Sequence, residues 1–322
     1  MTDPIKLEAS VPLALRGARL DQVAAELFDG FSRSRLQQWI KDGDLLVNGK
    51  RCRSKDKLLG EELLTIDVVP EPEGEWQPEP IQLDITYEDD AILVINKPSG
   101  LVVHPAVGNY TGTLLNGLIH HVPANENIPR AGIVHRLDKE TTGLMVVAKT
   151  LEAHHALIKQ LQSRTVTREY QAVAQGVMTG GGSVDKPMGR HAQIRTKMAV
   201  VAHGGKEAVT HYRVIERFPH HTHIRVKLET GRTHQIRVHM AHIGYPLVGD
   251  AVYGGRLKLP KGATSELQNL LRSFKRQALH AGKLGLIHPG SGEYMEWQVA
   301  LPSDFNILLA ALKANAKAED IC

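Results

Sequence analysis

The sequence predicts an α+β protein in two unequal parts: a small basic N-terminal domain, then a larger domain built on a mixed, mostly antiparallel sheet flanked by helices and loops. Three observations carry this. At 322 residues the chain exceeds the ~150 residues of a typical single domain. Charge is unevenly spread: from Ser32 to Lys57 eight Lys or Arg residues meet three acids, whereas Pro70 to Asp90 carries acids and no Lys or Arg. From Ile85 onward, apolar runs of strand length follow one another without the strict strand–helix alternation of a doubly wound parallel sheet. These shifts place the first domain at residues 1–72, an acidic Pro-rich linker at 73–83, and the second domain, with a C-terminal helix, at 84–322.

Within the first domain, Leu20, Val23, Ala24 and Leu27 recur at helical spacing and Gly30 ends the pattern. Ser32 is placed to cap a second helix whose apolar face is Leu36, Trp39 and Ile40 and whose outer face carries Arg33 and Arg35. Leu45-Leu46-Val47 meets Asn48-Gly49, a hairpin signal because both central turn positions need positive φ. A last apolar run, Leu63 to Val68, closes the unit. The prolines and like charges of Pro70 to Pro80 suit neither helix nor strand.

In the second domain Ala91 to Asn96 reads as a buried strand that Lys97-Pro98-Ser99-Gly100 turns into a further strand, Leu101-Val102-Val103. Thr113 to His121 reads as a helix, Thr150 caps another bearing Leu151, His154, Leu157, Ile158 and Leu161, and Val166 to Ala174 returns as a strand. Gly180-Gly181-Gly182 reads as a flexible turn. Thr222 to Glu229 alternates strictly, so Ile224, Val226 and Leu228 face a core. Gly231 to Met240 leaves that strand and starts a helix, Pro246 to Gly254 is loop-like, and Tyr294 to Val299 is a late strand before an Ala/Leu-rich helix from about Phe305.

Composition excludes several classes. No apolar run is long enough to span a bilayer, and Met1 to Lys6 lacks an export signal, so a cytoplasmic protein without membrane contact is expected. Cys52 and Cys322 are too few for a disulfide framework or a Cys-based zinc site. There is no Walker-type loop, dinucleotide fingerprint or Gly-x-Ser-x-Gly elbow. His234, His239 and His242, and the separate cluster His220, His221 and His223, match no zinc motif and are taken as solvated or RNA-facing. No cofactor and no metal are expected.

The centre of the chain is Gly132 to Gly143, running into Leu144 to Lys149: one carboxylate, Asp138, among Arg136, Lys139 and Lys149, on a polar segment anchored by a strand-length apolar run. From residue types alone, Asp138 is either a catalytic carboxylate or a turn cap. His135-Arg136-Leu137-Asp138-Lys139-Glu140-Thr141-Thr142-Gly143 resembles the signature of the RluA family of RNA pseudouridine synthases, with Thr142 in place of the usual serine. Asn96 to Pro105, Arg168-Glu169-Tyr170, Glu229 to His239 and Gln277 to Ala281 resemble that family too. The first 70 residues or so resemble the S4 RNA-binding domain, with Arg33, Arg35, Lys50, Arg51 and Arg53 as the RNA contacts; the other reading of these cations is a solvated basic face.

The resemblance implies isomerisation of uridine to pseudouridine in large-subunit (23S) ribosomal RNA, in its helix 69 stem-loop, with free RNA or an assembling 50S particle as partner and a monomeric enzyme. It makes Asp138 the nucleophile, sets Tyr170 against the target base and pairs Arg237 with Asp138. Asp138 adds to uracil or traps C1′; both stay open. Arg136 either fills the space of a flipped-out base or contacts phosphate, and His135, Arg232 and Leu279 are taken as further substrate contacts. For Tyr170 the expectation is that its hydroxyl takes a proton, which needs a lowered pKa or concerted transfer. Two other classes are a non-catalytic RNA-binding assembly factor and a metal-dependent RNA hydrolase.

Overall fold

The computed structural model describes residues 5–28, 31, 33–68, 76–105, 110–194 and 196–319. The chain forms two units, Met1–Glu75 and Trp76–Cys322.

The first unit contains β1 (Ile5–Ser10), α1 (Leu20–Leu27), α2 (Arg33–Asp42), β2 (Leu45–Val47) and β3 (Leu63–Val68), with an antiparallel sheet in the order β1-β3-β2. The helical faces are those the spacing predicts: Leu20, Val23 and Ala24 from α1 and Leu36, Trp39 and Ile40 from α2 pack with Leu45, Val47, Leu64 and Ile66. Gly30 and Ser32 lie outside the described residues. Asn48 and Gly49 take φ of 49° and 72°, and Val47 and Lys50 exchange backbone bonds across the turn at 2.9 Å. The hairpin stops there, however, because the ladder of β2 goes to β3. β1 gives little signal in sequence, since most of its residues stay exposed.

The second unit carries β4 (Ile85–Glu88), β5 (Ile92–Lys97), α3 (Leu114–His121), β6 (Thr142–Ala148), α4 (Leu151–Gln162), β7 (Thr167–Gln175), β8 (Gly182–Asp185), β9 (Met188–Arg190) and β10 (Met198–Val200). It continues with β11 (Val209–Arg217), β12 (His221–Leu228), α5 (Gln235–His242), α6 (Ser265–Ser273), β13 (Leu279–Ile287), β14 (Tyr294–Gln298) and α7 (Ser303–Glu319). The main sheet runs β4-β5-β6-β13-β7-β12-β11-β8, with β14 also on β13; β6 and β13 are parallel and the other neighbours antiparallel. β6 is buried along its whole length because its alternate residues enter two cores, Met145 and Val147 on one face and Leu144, Val146 and Ala148 on the other. On the first face lie Leu114, Leu115, Leu118 and Ile119 of α3 and Ile236 and Met240 of α5, together with Ile224, Val226 and Leu228 of β12.

Several expectations are corrected. Leu101 to Val103 forms no strand, only a single bridge from Val102 to Thr113. Gly180 lies in the open at a bend, but Gly182 belongs to β8 and a Cβ on Gly181 would meet the Tyr212 carbonyl at 2.8 Å, so the turn is confined to the start of the run. Residues 73–75 of the expected linker lie outside the described residues, and 76–83, which form no helix or strand, are laid on the second unit. Trp76 and Leu83 pack against its core, Ile81 touches Gly117, and Asn116 Nδ2 donates to the Gln77 carbonyl at 2.9 Å. The apolar residues spaced between the prolines and acids supply this attachment. Among the described residues no helix is long and apolar enough to cross a membrane.

Candidate active site

The Asp138 segment is fastened to the sheet on both sides. Before it, Ile133 bridges Val147, and the Val146 N–H donates to Nε2 of His135 at 3.1 Å, on a stretch of β6 beyond its parallel pairs with β13 at Thr142 and Gly143. After it, each of four residues has a buried holder. The fully buried Lys97 ammonium donates to the carbonyls of Lys139, Pro98 and Leu101 at 2.9, 2.7 and 3.0 Å. Arg276 reaches the Glu140 carbonyl, Gln277 Nε2 donates to the Thr141 hydroxyl at 2.9 Å, and Thr142 bonds His280 at 2.9 Å. Gly143 (φ +114°) allows the parallel strands to meet, since a Cβ there would lie 2.2 Å from the Ala281 carbonyl oxygen. The Asn-Lys-Pro and Gln-Ala-Leu-His stretches thus hold the carboxylate's loop in place.

Asp138 is partly buried and its Oδ2 accepts from Nη1 of Arg237 at 2.9 Å. Arg237, on α5, is itself buried, and its Nε and Nη2 donate to Asp250 at 2.7 and 2.9 Å. The Asp250 Oδ1 also accepts the N–H groups of Val252 and Tyr253. Against the cost of burial, the Arg237 bonds and these N–H groups hold Asp250 below the usual carboxylate range. Burial likewise opposes the charge on Arg237, yet Asp250 and Asp138 raise its pKa above the ordinary arginine value. His234 caps α5 in the left-handed region (φ 58°), with Nε2 3.8 Å from Asp138 and Nδ1 2.7 Å from the Tyr253 hydroxyl. Burial lowers its pKa, against the pull of the Asp138 carboxylate.

Asp138, Arg237 and His234 line a cleft of about 720 Å³ together with Tyr170, Arg168, Arg136, His135, Arg232 and Leu279. Arg136 stands exposed at it; Arg232 Nε donates to the Glu207 carbonyl at 2.9 Å. The His135 ring presents an acceptor to the backbone, and enclosure, followed by the nearby Arg168 charge, pushes its pKa down to about 3. For Tyr170 burial raises the pKa, Arg168 opposes this and Asp138 adds to it, so of the two routes to proton transfer the direction favours the concerted one.

The histidines taken as solvated or RNA-facing include buried ones. His239 bonds Thr210 and the Lys186 carbonyl, while His221 and His223 are buried, their pKa values pushed by burial to about 4. No group of three potential metal ligands occurs among the described residues. In the first unit, Arg33 is engaged by the buried Asp21 at 2.7 and 3.1 Å, Arg35 lies 5.4 Å from the Trp39 ring centre, and Lys50, Arg51 and Arg53 are exposed. Asp250, His234 and Tyr253 were missed in sequence as site residues. Asp250 is the one carboxylate of the loop-like stretch Pro246 to Gly254, which was the available signal.

The family model described as RNA pseudouridylate synthase matches residues 91–242, and that described as S4 domain matches 18–64. A Pseudomonas aeruginosa protein named ribosomal large subunit pseudouridine synthase D is 59% identical over 99% of both chains. The protein of that name from Yersinia pestis is 56% identical over 98% of both. The chain belongs to the RNA pseudouridylate synthase family. A solved member, human RNA pseudouridylate synthase domain containing 4, aligns at 27% identity and a TM-score of 0.53 over 71% of this chain and 92% of its own. The pseudouridylate synthase match spans Asp138, Tyr170 and Arg237, while Asp250 and Leu279 lie outside it. The resemblance read from the motifs is confirmed, and the α+β class with an S4 domain ahead of the synthase domain holds.

Proposed function

We propose that this pseudouridylate synthase isomerises uridine in large-subunit ribosomal RNA, with helix 69 as the target stem-loop, and that Asp138 is the nucleophile toward a nucleotide whose base is flipped into the cleft. The observation that carries this is the Asp138 carboxylate, held 2.9 Å from a buried arginine, in a cleft also lined by a tyrosine ring. A guanidinium so placed holds the carboxylate in one orientation and leaves its other oxygen free to face a substrate. The RNA substrate is supported by the names of the relatives and by the S4 domain, whose exposed Lys50, Arg51 and Arg53 suit phosphate contact.

The reaction detaches uracil from C1′, turns it and rejoins it through C5, so atoms balance within one nucleotide. Flipping the base costs a few kcal/mol, which stacking on Tyr170 (~1–3 kcal/mol) helps to offset. Arg136, exposed at the cleft, is the side chain available to fill the vacated stack. The test is incubation with large-subunit ribosomal RNA, read by a pseudouridine-specific chemical probe and by mass spectrometry. Isomerisation leaves mass and chain length unchanged while the probe maps modified uridines to helix 69. Unmodified RNA supports a non-catalytic binding factor, and shortened RNA a hydrolase.

A further inference from the structure

Arg168 lies on β7 two residues before Tyr170, lines the cleft and is only 7% exposed. No carboxylate among the described residues pairs with it. Its Nη2 donates to the Glu229 carbonyl at 3.1 Å, and its Nε is buried without a partner. The Glu229 carboxylate is directed instead to His211 at 2.6 Å and Arg164 at 3.4 Å. The place is nevertheless shaped for a guanidinium: a Cβ on Gly231 would come within 2.6 Å of Nη1 of Arg168. Arg237 is the contrast, a buried cation each of whose three nitrogens donates to Asp250 or Asp138. A buried charge left unpaired is costly, so the cleft favours whatever brings negative charge to Arg168.

We propose that Arg168 is a catalytic residue that holds the negative charge uracil acquires as its bond to C1′ breaks. This inference rests on the pseudouridine reading above. The electron pair of the C1′–N1 bond leaves with the base and spreads over N1, O2 and O4; C5 then bonds C1′ and loses its proton while N1 gains one, so no co-reactant is consumed. Alternate residues share a strand face, so a base stacked on Tyr170 turns an edge toward Arg168. Phosphates have the more exposed Arg136, Arg164 and Arg232 of the same cleft. The donor that the fold leaves unused thereby meets the charge that develops in the reaction.

Two full-length variants test this: Arg168→Gln, which keeps a donor for the Glu229 carbonyl without the charge, and Arg168→Lys, which keeps the charge. In single turnovers on ribosomal RNA, Arg168→Gln is expected to slow isomerisation roughly 10²–10³-fold with RNA affinity and its salt slope unchanged. Arg168→Lys is expected to recover part of the rate at neutral pH and to lose it on the alkaline side, because an enclosed lysine titrates where arginine does not. A shallower salt slope in Arg168→Gln marks a phosphate contact and overturns the proposal, as does a wild-type rate. Should Arg168→Gln fail to fold, the Lys variant decides: a pH profile identical to that of the unaltered protein overturns the proposal. If the unaltered protein makes no pseudouridine, the functional reading itself fails and this inference with it.

Discussion

Arg237 divides its donors between two carboxylates, giving Nε and Nη2 to Asp250 at 2.7 and 2.9 Å and Nη1 to Asp138 at 2.9 Å. The bidentate pair with Asp250 fixes the plane of the guanidinium, so Asp138 meets one donor in one direction. Asp250 therefore acts on Asp138 through Arg237.

Removing that brace is the first prediction. Asp250→Asn leaves a buried arginine half-paired, a change of a kind that costs ~3–5 kcal/mol. Its melting temperature should fall, and turnover should fall at least about tenfold beyond what RNA affinity explains. Unchanged melting and turnover together contradict the bracing role.

The Arg237–Asp250 pair also marks the limit of what the sequence revealed. β6 and β12 were legible because two-sided burial and strict alternation leave plain patterns, and α4 because Thr150 caps it, accepting the Ala153 N–H at 3.1 Å. Asp250 sits in a loop whose pattern carries no periodicity, and nothing local says that it turns back to a helix 13 residues earlier. Lys97 and Gln277 were visible only as letters in matched stretches; their task is to hold carbonyls and hydroxyls 42 and 136 residues away. Trp76 to Leu83 misled because prolines and acids dominate its composition while a few apolar side chains decide its packing.

The second prediction concerns acid. Burial or enclosure is the largest cause lowering His135 to about 3 and His154, His221, His223 and His280 to about 4. Unfolded histidines take up protons from ~6.5 downward. Between that pH and about 4 the unfolded state therefore binds more protons, and stability falls as pH falls. Urea midpoints at several pH values should show this decline, and His154→Phe should flatten it by close to one proton. A slope untouched by that change refutes the assignment.

Tyr170 separates stacking from proton transfer. Burial raises the pKa of the hydroxyl, so the expected outcome is that stacking carries the role: Tyr170→Phe should keep single-turnover rates within about tenfold while Tyr170→Ala loses most of the rate and ~1–3 kcal/mol of base stacking. A nearly inactive Phe variant with an unchanged melting temperature restores the proton-transfer role.

For the first unit, Lys50→Ala combined with Arg51→Ala, both exposed side chains, should weaken RNA binding and make its salt dependence shallower without changing single-turnover rates on saturating RNA. An unaltered salt slope removes these two from the RNA interface.

The most direct test is Asp138→Asn, which keeps the shape of the side chain and removes its charge. Measured in parallel are its melting temperature, its affinity for large-subunit ribosomal RNA and the pseudouridine it forms in long incubations. The account predicts a folded protein that binds RNA and forms no pseudouridine; clear pseudouridine formation by that variant contradicts it.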